Sequence, residues 1–205
     1  MPAKIAIIDY GMANLRSVQK AFEAVGCPAD VTADPNRIAE YPKVVLPGVG
    51  AFRDAIVRFR GTDLGDAVKT HIDSGKPFLG ICLGLQMLFT RGHEDGIHPG
   101  LDIYAGDVVR FPARPGLKVP HMGWNTLRFT RPGCPLFRDL PDDPVVYFTH
   151  SYYAEPTDRE LVVAEADYPD PFCVAIWRDN VMATQFHPEK SQRVGLQMLK
   201  NFADM

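Results

Sequence analysis

The stretch from Pro77 to Phe89 limits the possible folds more than any other part of the chain. Pro77, Phe78, Leu79 and Ile81 make an apolar run too short for a helix and bounded upstream by Gly75, which is the pattern of a buried strand. The run leads directly into GICLGLQ at 80–86, after which Leu85, Leu88 and Phe89 recur at helical spacing. Cys82 is thereby placed at the tip of a sharp strand-to-helix turn. Gly80 and Gly84 lie two residues to either side, where an elbow has no room for side chains. The start of a helix carries partial positive charge that favours a thiolate, so the position suits a sulfur nucleophile. A buried structural cysteine would have the same local sequence, so the motif needs partners elsewhere in the chain.

Around this elbow the first ninety or so residues alternate between two periodicities. Lys4 to Asp9 reads as a strand, followed by a helix with Leu15, Val18, Phe22 and Val25 on one face and Gly26 at its end. Short strands follow at Asp30 to Thr32 and at Val44, Val45 and Leu46, the latter running into PGVG at 47–50. Two helices come next, one turning Phe52, Ala55, Ile56 and Phe59 inward and one turning Leu64, Ala67, Val68 and Ile72 inward. From about Gly96 helical periodicity gives way to Pro, Gly and short β-branched runs. Strands are expected at Asp107 to Phe111, Val145 to Thr149, Leu161 to Ala166, Cys173 to Trp177 and Val181 to Phe186, the last two joined by a three-residue turn at Arg178, Asp179 and Asn180. A last helix is expected from Gln192 to Phe202, with Val194, Leu196, Leu199 and Phe202 as its apolar face. The pattern predicts an α/β fold: a mostly parallel central sheet with flanking helices and an antiparallel β extension. Ligands of such sheets bind at the carboxyl ends of the strands.

With no repeat, linker or low-complexity segment, the 205 residues are expected to form one domain. Net charge is only −3, without a long run of either sign, which argues against nucleic acid or an anionic membrane as partner. No apolar run is long enough to span a membrane. Cys27, Cys82, Cys134 and Cys173 have no CxxC spacing, and no basic segment with a long apolar stretch opens the chain. Reduced thiols in a cytoplasmic protein are therefore expected. His93, His98 and His121 lack ligand spacing, so no metal is expected, and GMAN at 11–14 lacks the glycines of a dinucleotide loop. His71, within a helix, reads as structural.

A cysteine nucleophile needs a base held by a third group, and such partners are neighbours in space more often than in sequence. The strand ending at Phe186 delivers His187, Pro188 and Glu189. A carboxylate two residues beyond an imidazole can fold back to one ring nitrogen and leave the other facing sulfur. Acyl transfer also needs donors for a developing oxyanion: the backbone N–H of Leu83 is one candidate, and the PGVG loop, where Gly50 can rotate its peptide freely, is a second. YFTHSYY at 147–153 clusters hydroxyls and an imidazole beyond another strand.

Together, GICLGLQ at 80–86 and FHPEKS at 186–191 resemble the class I, triad-type glutamine amidotransferases. IIDYGMANLRSV at 7–18, LPGVGAF at 46–52, PHMGWN at 120–125 and FTHSYY at 148–153 are similar to the branch of that family that serves a separate cyclase in histidine biosynthesis. Ala13 stands where the common form of that branch has glycine. The resemblance implies hydrolysis of the glutamine side-chain amide with no cofactor, Cys82 as nucleophile, His187 as acid and base, and Glu189 as the orienting carboxylate. It further implies Gly50 and Leu83 at the oxyanion, and Gln86, His150, Ser151 and Tyr152 around glutamine. Met122, Trp124, Tyr147 and Lys190 would meet the cyclase. Since 205 residues leave no room for a cyclase barrel, that partner would be a second chain in a heterodimer receiving the ammonia.

Overall fold

The computed structural model describes residues 4–205. Its first half is a run of β-α units: β1 (Ile5–Ile8), α1 (Leu15–Ala24), β2 (Ala29–Thr32), α2 (Pro35–Ile38), β3 (Lys43–Gly48), α3 (Phe52–Arg60), α4 (Leu64–Asp73), β4 (Phe78–Cys82) and α5 (Leu83–Gln86). The second half is mainly strand: β5 (Phe89–Gly92), β6 (His98–Pro99), β7 (Tyr104–Arg110), β8 (His121–Thr126), β9 (Arg128–Phe129), β10 (Val145–His150), β11 (Tyr152–Pro156), β12 (Val162–Asp167), β13 (Pro171–Arg178) and β14 (Val181–Thr184), closed by α6 (Gln192–Ala203).

The main sheet has the order β2-β1-β3-β4-β14-β13-β12-β9. Strands from β2 to β14 pair in parallel, while β13, β12 and β9 continue the sheet antiparallel. Strand pleating sends alternate residues to opposite faces. Ile5, Ile7, Val45, Leu79 and Ile81 pack with Val18 and Phe22 of α1 and Leu199 and Phe202 of α6. Ala6, Ile8, Val44, Leu46 and Phe78 pack with Phe52, Ile56 and Phe59 of α3 and Leu64 and Val68 of α4. Apolar side chains on both sides explain why these strands read as unbroken hydrophobic runs. The mostly parallel sheet with helices on both faces and an antiparallel extension is the expected architecture. No helix among the described residues is long and apolar enough to cross a membrane.

Several expectations need correction. The helix after the elbow is a single turn: Phe89 already begins β5. Leu85, Met87, Leu88 and Phe89 are all fully buried, so apolar spacing had no solvent face to report and could not distinguish helix from strand. The β13–β14 turn holds two residues, because Arg178 pairs with Val181. Asp179 has φ +51°, and the side chain of Asn180 donates to the carbonyls of Ile72 and Lys76, each at 2.8 Å, tying the turn to the entrance of β4. In α6 the buried face is Gly195, Met198, Leu199, Asn201 and Phe202, with Val194 and Leu196 flanking it. A Cβ on Gly195 would overlap the Pro188 carbonyl, and Asn201 donates to the carbonyls of Leu136 and Arg138 at 3.0 and 2.7 Å, so close approach and polar bonding, not apolarity alone, select that face. The extension is also not one sheet. Besides the strands added to the main sheet, β10 and β8 form a two-stranded ribbon and β11-β7-β5-β6 a four-stranded sheet, and YFTHSYY spans the step from β10 to β11.

Candidate active site

The elbow at Cys82 is built by crowding. Cys82 ends β4 opposite Gly48 at the end of β3 and takes φ +55° and ψ −107°, a conformation that non-glycine residues rarely hold and that costs about 1–3 kcal/mol. A Cβ on Gly84 would overlap the Leu46 carbonyl, and one on Gly80 would lie 3.0 Å from the backbone of Gly84. Glycine at both positions is therefore what lets the turn close. With only four residues in α5, the field at the sulfur comes from the free N–H groups of one turn and not from a long helix.

The imidazole arrives from the neighbouring parallel strand. β14 pairs with β4 as far as Thr184 opposite Ile81, and the chain then carries Gln185, Phe186 and His187 past the same sheet edge. His187 N–H donates to the Tyr147 carbonyl at 3.0 Å, fixing the backbone. A short turn at Pro188–Lys190 folds Glu189 back so that its Oε1 lies 2.8 Å from His187 Nδ1, with both side chains buried. Nε2 has no well-aligned protein acceptor, but the Cys82 sulfur is near enough to act on it. Burial by itself pushes the His187 pKa down; the charge and hydrogen bonding of Cys82, with the Glu189 carboxylate, outweigh burial and raise it to about 10. The arrangement favours an imidazolium beside the Cys82 sulfur.

Cys82 and His187 open into one cavity of about 270 Å³, lined also by Gly50, Leu83, Gln86, His150, Ser151 and Tyr152. Gly50 has φ +94°, and the N–H of Val49 beside it donates to the Met12 carbonyl at 3.0 Å, so that N–H already has a partner. The Gln86 side chain donates to the Tyr152 carbonyl at 2.9 Å and to Gln185 Oε1 at 3.0 Å. Both ring nitrogens of His150 are engaged: Nδ1 lies 2.8 Å from the Tyr152 carbonyl and Nε2 lies 3.1 Å from His121 Nδ1. Burial pushes these two histidines down to about 3 and about 4, so both rings are neutral. His150 Nδ1–H donates to the carbonyl, leaving Nε2 to accept from His121.

Three residues that matter here escaped sequence reasoning. Gln185 is fully buried and points its Nε2 at Cys82 Sγ, 3.6 Å away. Glu94 lines the cavity while its Oε2 accepts from the first N–H of α3 at 2.6 Å. Tyr10 buries its hydroxyl against Gly48. Gln185 precedes FHPE and could have been suspected as a polar residue in an apolar strand; Tyr10 lies within the 7–18 motif without being singled out there, and Glu94 carries no local signal. Of the residues expected at a partner face, Met122 and Trp124 are 64% and 48% exposed on the β8–β10 ribbon, where Trp124 stands opposite Tyr147 with ring centroids 5.8 Å apart. Lys190 sits at the end of the turn that carries Glu189. Among the described residues no three His, Cys, Asp or Glu side chains gather as metal ligands.

Residues 6–205 match the model of the family described as "Glutamine amidotransferase class-I". The chain belongs to that family. Among curated relatives, this glutamine amidotransferase is 58% identical to "Imidazole glycerol phosphate synthase subunit HisH" of Syntrophotalea carbinolica, covering 98% of this chain and 100% of that one. It is 48% identical to the protein of the same name from Aquifex aeolicus, over 97% and 95% of the two chains. Solved structures share the fold at much lower identity. "Structure of PurLQS from Thermotoga maritima" superposes with a TM-score of 0.78 at 16% identity, over 100% of this chain and 99% of that one. A glutamine amidotransferase from Thermotoga maritima gives a TM-score of 0.65 at 18% identity, over 100% and 84%.

Proposed function

We propose that this chain, acting as one glutamine amidotransferase domain, is the glutaminase subunit of imidazole glycerol phosphate synthase. It hydrolyses glutamine to glutamate and ammonia in the cytoplasm and hands the ammonia to a separate cyclase barrel in a heterodimer of histidine biosynthesis. The observation that carries the reading is His187, held by Glu189 at 2.8 Å, sharing one cavity with Cys82 at its elbow. The names of relatives up to 58% identical supply the acceptor.

Cys82 Sγ attacks the side-chain carbonyl carbon of glutamine, forming a C–S bond as the carbonyl oxygen becomes an oxyanion. Leu83 N–H meets that oxygen, and a second donor comes from the loop at Gly50 once the peptides beside Val49 turn toward the sulfur. His187 Nε2 gives its proton to the departing ammonia, leaving a γ-glutamyl thioester; the same nitrogen then takes a proton from the water that cleaves it. Glu189 keeps the proton on Nδ1 throughout. Gln86, Ser151 and Tyr152 hold the substrate, while His150, with both nitrogens engaged, supports the Tyr152 carbonyl. Because ammonium predominates at neutral pH, the product must leave through a dry passage. Met122, Trp124, Tyr147 and Lys190 face the subunit that provides it.

With the Val49 N–H held by the Met12 carbonyl, the free chain should be a poor glutaminase that the loaded cyclase switches on. Losing one oxyanion donor costs a hundred- to a thousand-fold in comparable sites. In the assembled enzyme, Cys82→Ala should abolish glutamine-dependent cyclisation yet preserve the reaction driven by added ammonium salt. Loss of both activities in a folded variant would mean that the chemistry is assigned to the wrong chain.

A further inference from the structure

Tyr10 lies just beyond β1, buried, with its ring edge-on to Phe59 at a centroid distance of 5.4 Å. Its hydroxyl has no hydrogen-bond partner, an unfavourable state for a buried polar group. The hydroxyl is pressed against Gly48: a Cβ there would collide with Tyr10 Oη and would lie 2.7 Å from Leu83 Cβ. Tyr10 thus stands beside the end of β3, next to Leu83, without lining the cavity itself.

The loop's present geometry says what that donor is for. Val49 N–H is bonded to the Met12 carbonyl at 3.0 Å. N–H and C=O of a trans peptide point in opposite directions. Turning the Gly48–Val49 peptide to aim Val49 N–H at Cys82 therefore swings the Gly48 carbonyl outward, toward the Met12 oxygen that the N–H has left. Two carbonyl oxygens would then face each other with nothing between them. The Tyr10 hydroxyl, already against Gly48, is the donor placed to receive the displaced carbonyl. Burial, and secondarily the charge of Cys82, push the Tyr10 pKa well up, so the hydroxyl keeps its proton across the working range.

Building on the gate proposed above, we infer that Tyr10 is a positioning residue whose hydroxyl, unpartnered in the resting loop, donates to the Gly48 carbonyl in the activated loop and so stabilises the state that presents the second oxyanion donor. Removing the hydroxyl relieves the resting state of an unsatisfied group and deprives only the activated state of a bond.

The test is Tyr10→Phe in the enzyme assembled with its cyclase and that subunit's own substrate. Loss of one neutral hydrogen bond predicts a fall of about three- to tenfold in stimulated glutaminase kcat. KM for glutamine and the unstimulated rate of the free chain should stay within twofold of wild type, and the melting temperature should be unchanged or higher. A stimulated kcat within twofold of wild type overturns the inference, as does a parallel fall in both rates with a lower melting temperature, which would mark a structural role alone. If wild type itself is not stimulated by the loaded cyclase, the gate fails and the inference with it. A stimulated wild type with an equally stimulated Tyr10→Phe overturns the role of the hydroxyl only.

Discussion

At the level of single residues, the site is governed by where one proton sits. His187 is buried between Glu189 and Cys82, and its pKa stands at about 10 against an ordinary value of 6.5. Between those two values the folded protein keeps a proton on the ring that the unfolded chain has released. Stability from this group is therefore complete below about pH 6.5 and drains as the pH rises through 10. Cys82→Ala removes the largest of the influences that raise the value. Melting temperatures measured from pH 6 to pH 10 should fall with rising pH in wild type and fall less in Cys82→Ala. Equal slopes would show that the sulfur does not hold the proton on the imidazole.

At the level of elements, the elbow depends on the ends of β3 and β4 approaching until nothing larger than hydrogen fits between them. Gly84 faces the Leu46 carbonyl, a backbone atom that cannot move aside as a flexible side chain would. Gly84→Ala should therefore destabilise the fold by about 3 kcal/mol or more, as an overpacked site without room to relax. Gly26, at the end of α1, has φ +78° but open space around its missing Cβ. Gly26→Ala should cost only the left-handed backbone penalty of about 1 kcal/mol. Urea denaturation of the two variants compares a steric clash with a conformational preference, and similar losses would mean that the elbow can open. The same packing accounts for the one-turn α5: between the main sheet and the four-stranded sheet there is no solvent face along which an amphipathic helix could continue.

Across the whole molecule, the β8–β10 ribbon carries an apolar surface that no other described residue covers. Met122, Trp124 and Val145 are exposed on it, beside the turn that holds Glu189. Large exposed apolar groups clustered at one place mark interaction surfaces, and Trp is the residue most often found to dominate them. Trp124→Ala should weaken association with the cyclase by about tenfold or more in titration calorimetry. The unstimulated glutaminase rate of the free chain should not change. Unaltered affinity would place the partner on another face.

Much of this protein was legible in order along the chain. Alternating periodicities announced the parallel sheet, GICLGLQ announced the elbow, and HPE announced an imidazole with its carboxylate two residues away. Those signals are local, set by sterics and short-range bonding that act within a few residues. Where every side chain was buried, as from Leu85 to Phe89, the amino-acid pattern lost its power to separate helix from strand. Tertiary structure alone decided that β4 and β14 lie side by side, which brings Cys82 and His187 to one cavity from positions far apart in sequence. It alone placed Gln185 against the sulfur, Glu94 in the cavity wall and the Tyr10 hydroxyl against Gly48. Convergence between distant segments is a property of packing, and packing has no period that a sequence can display.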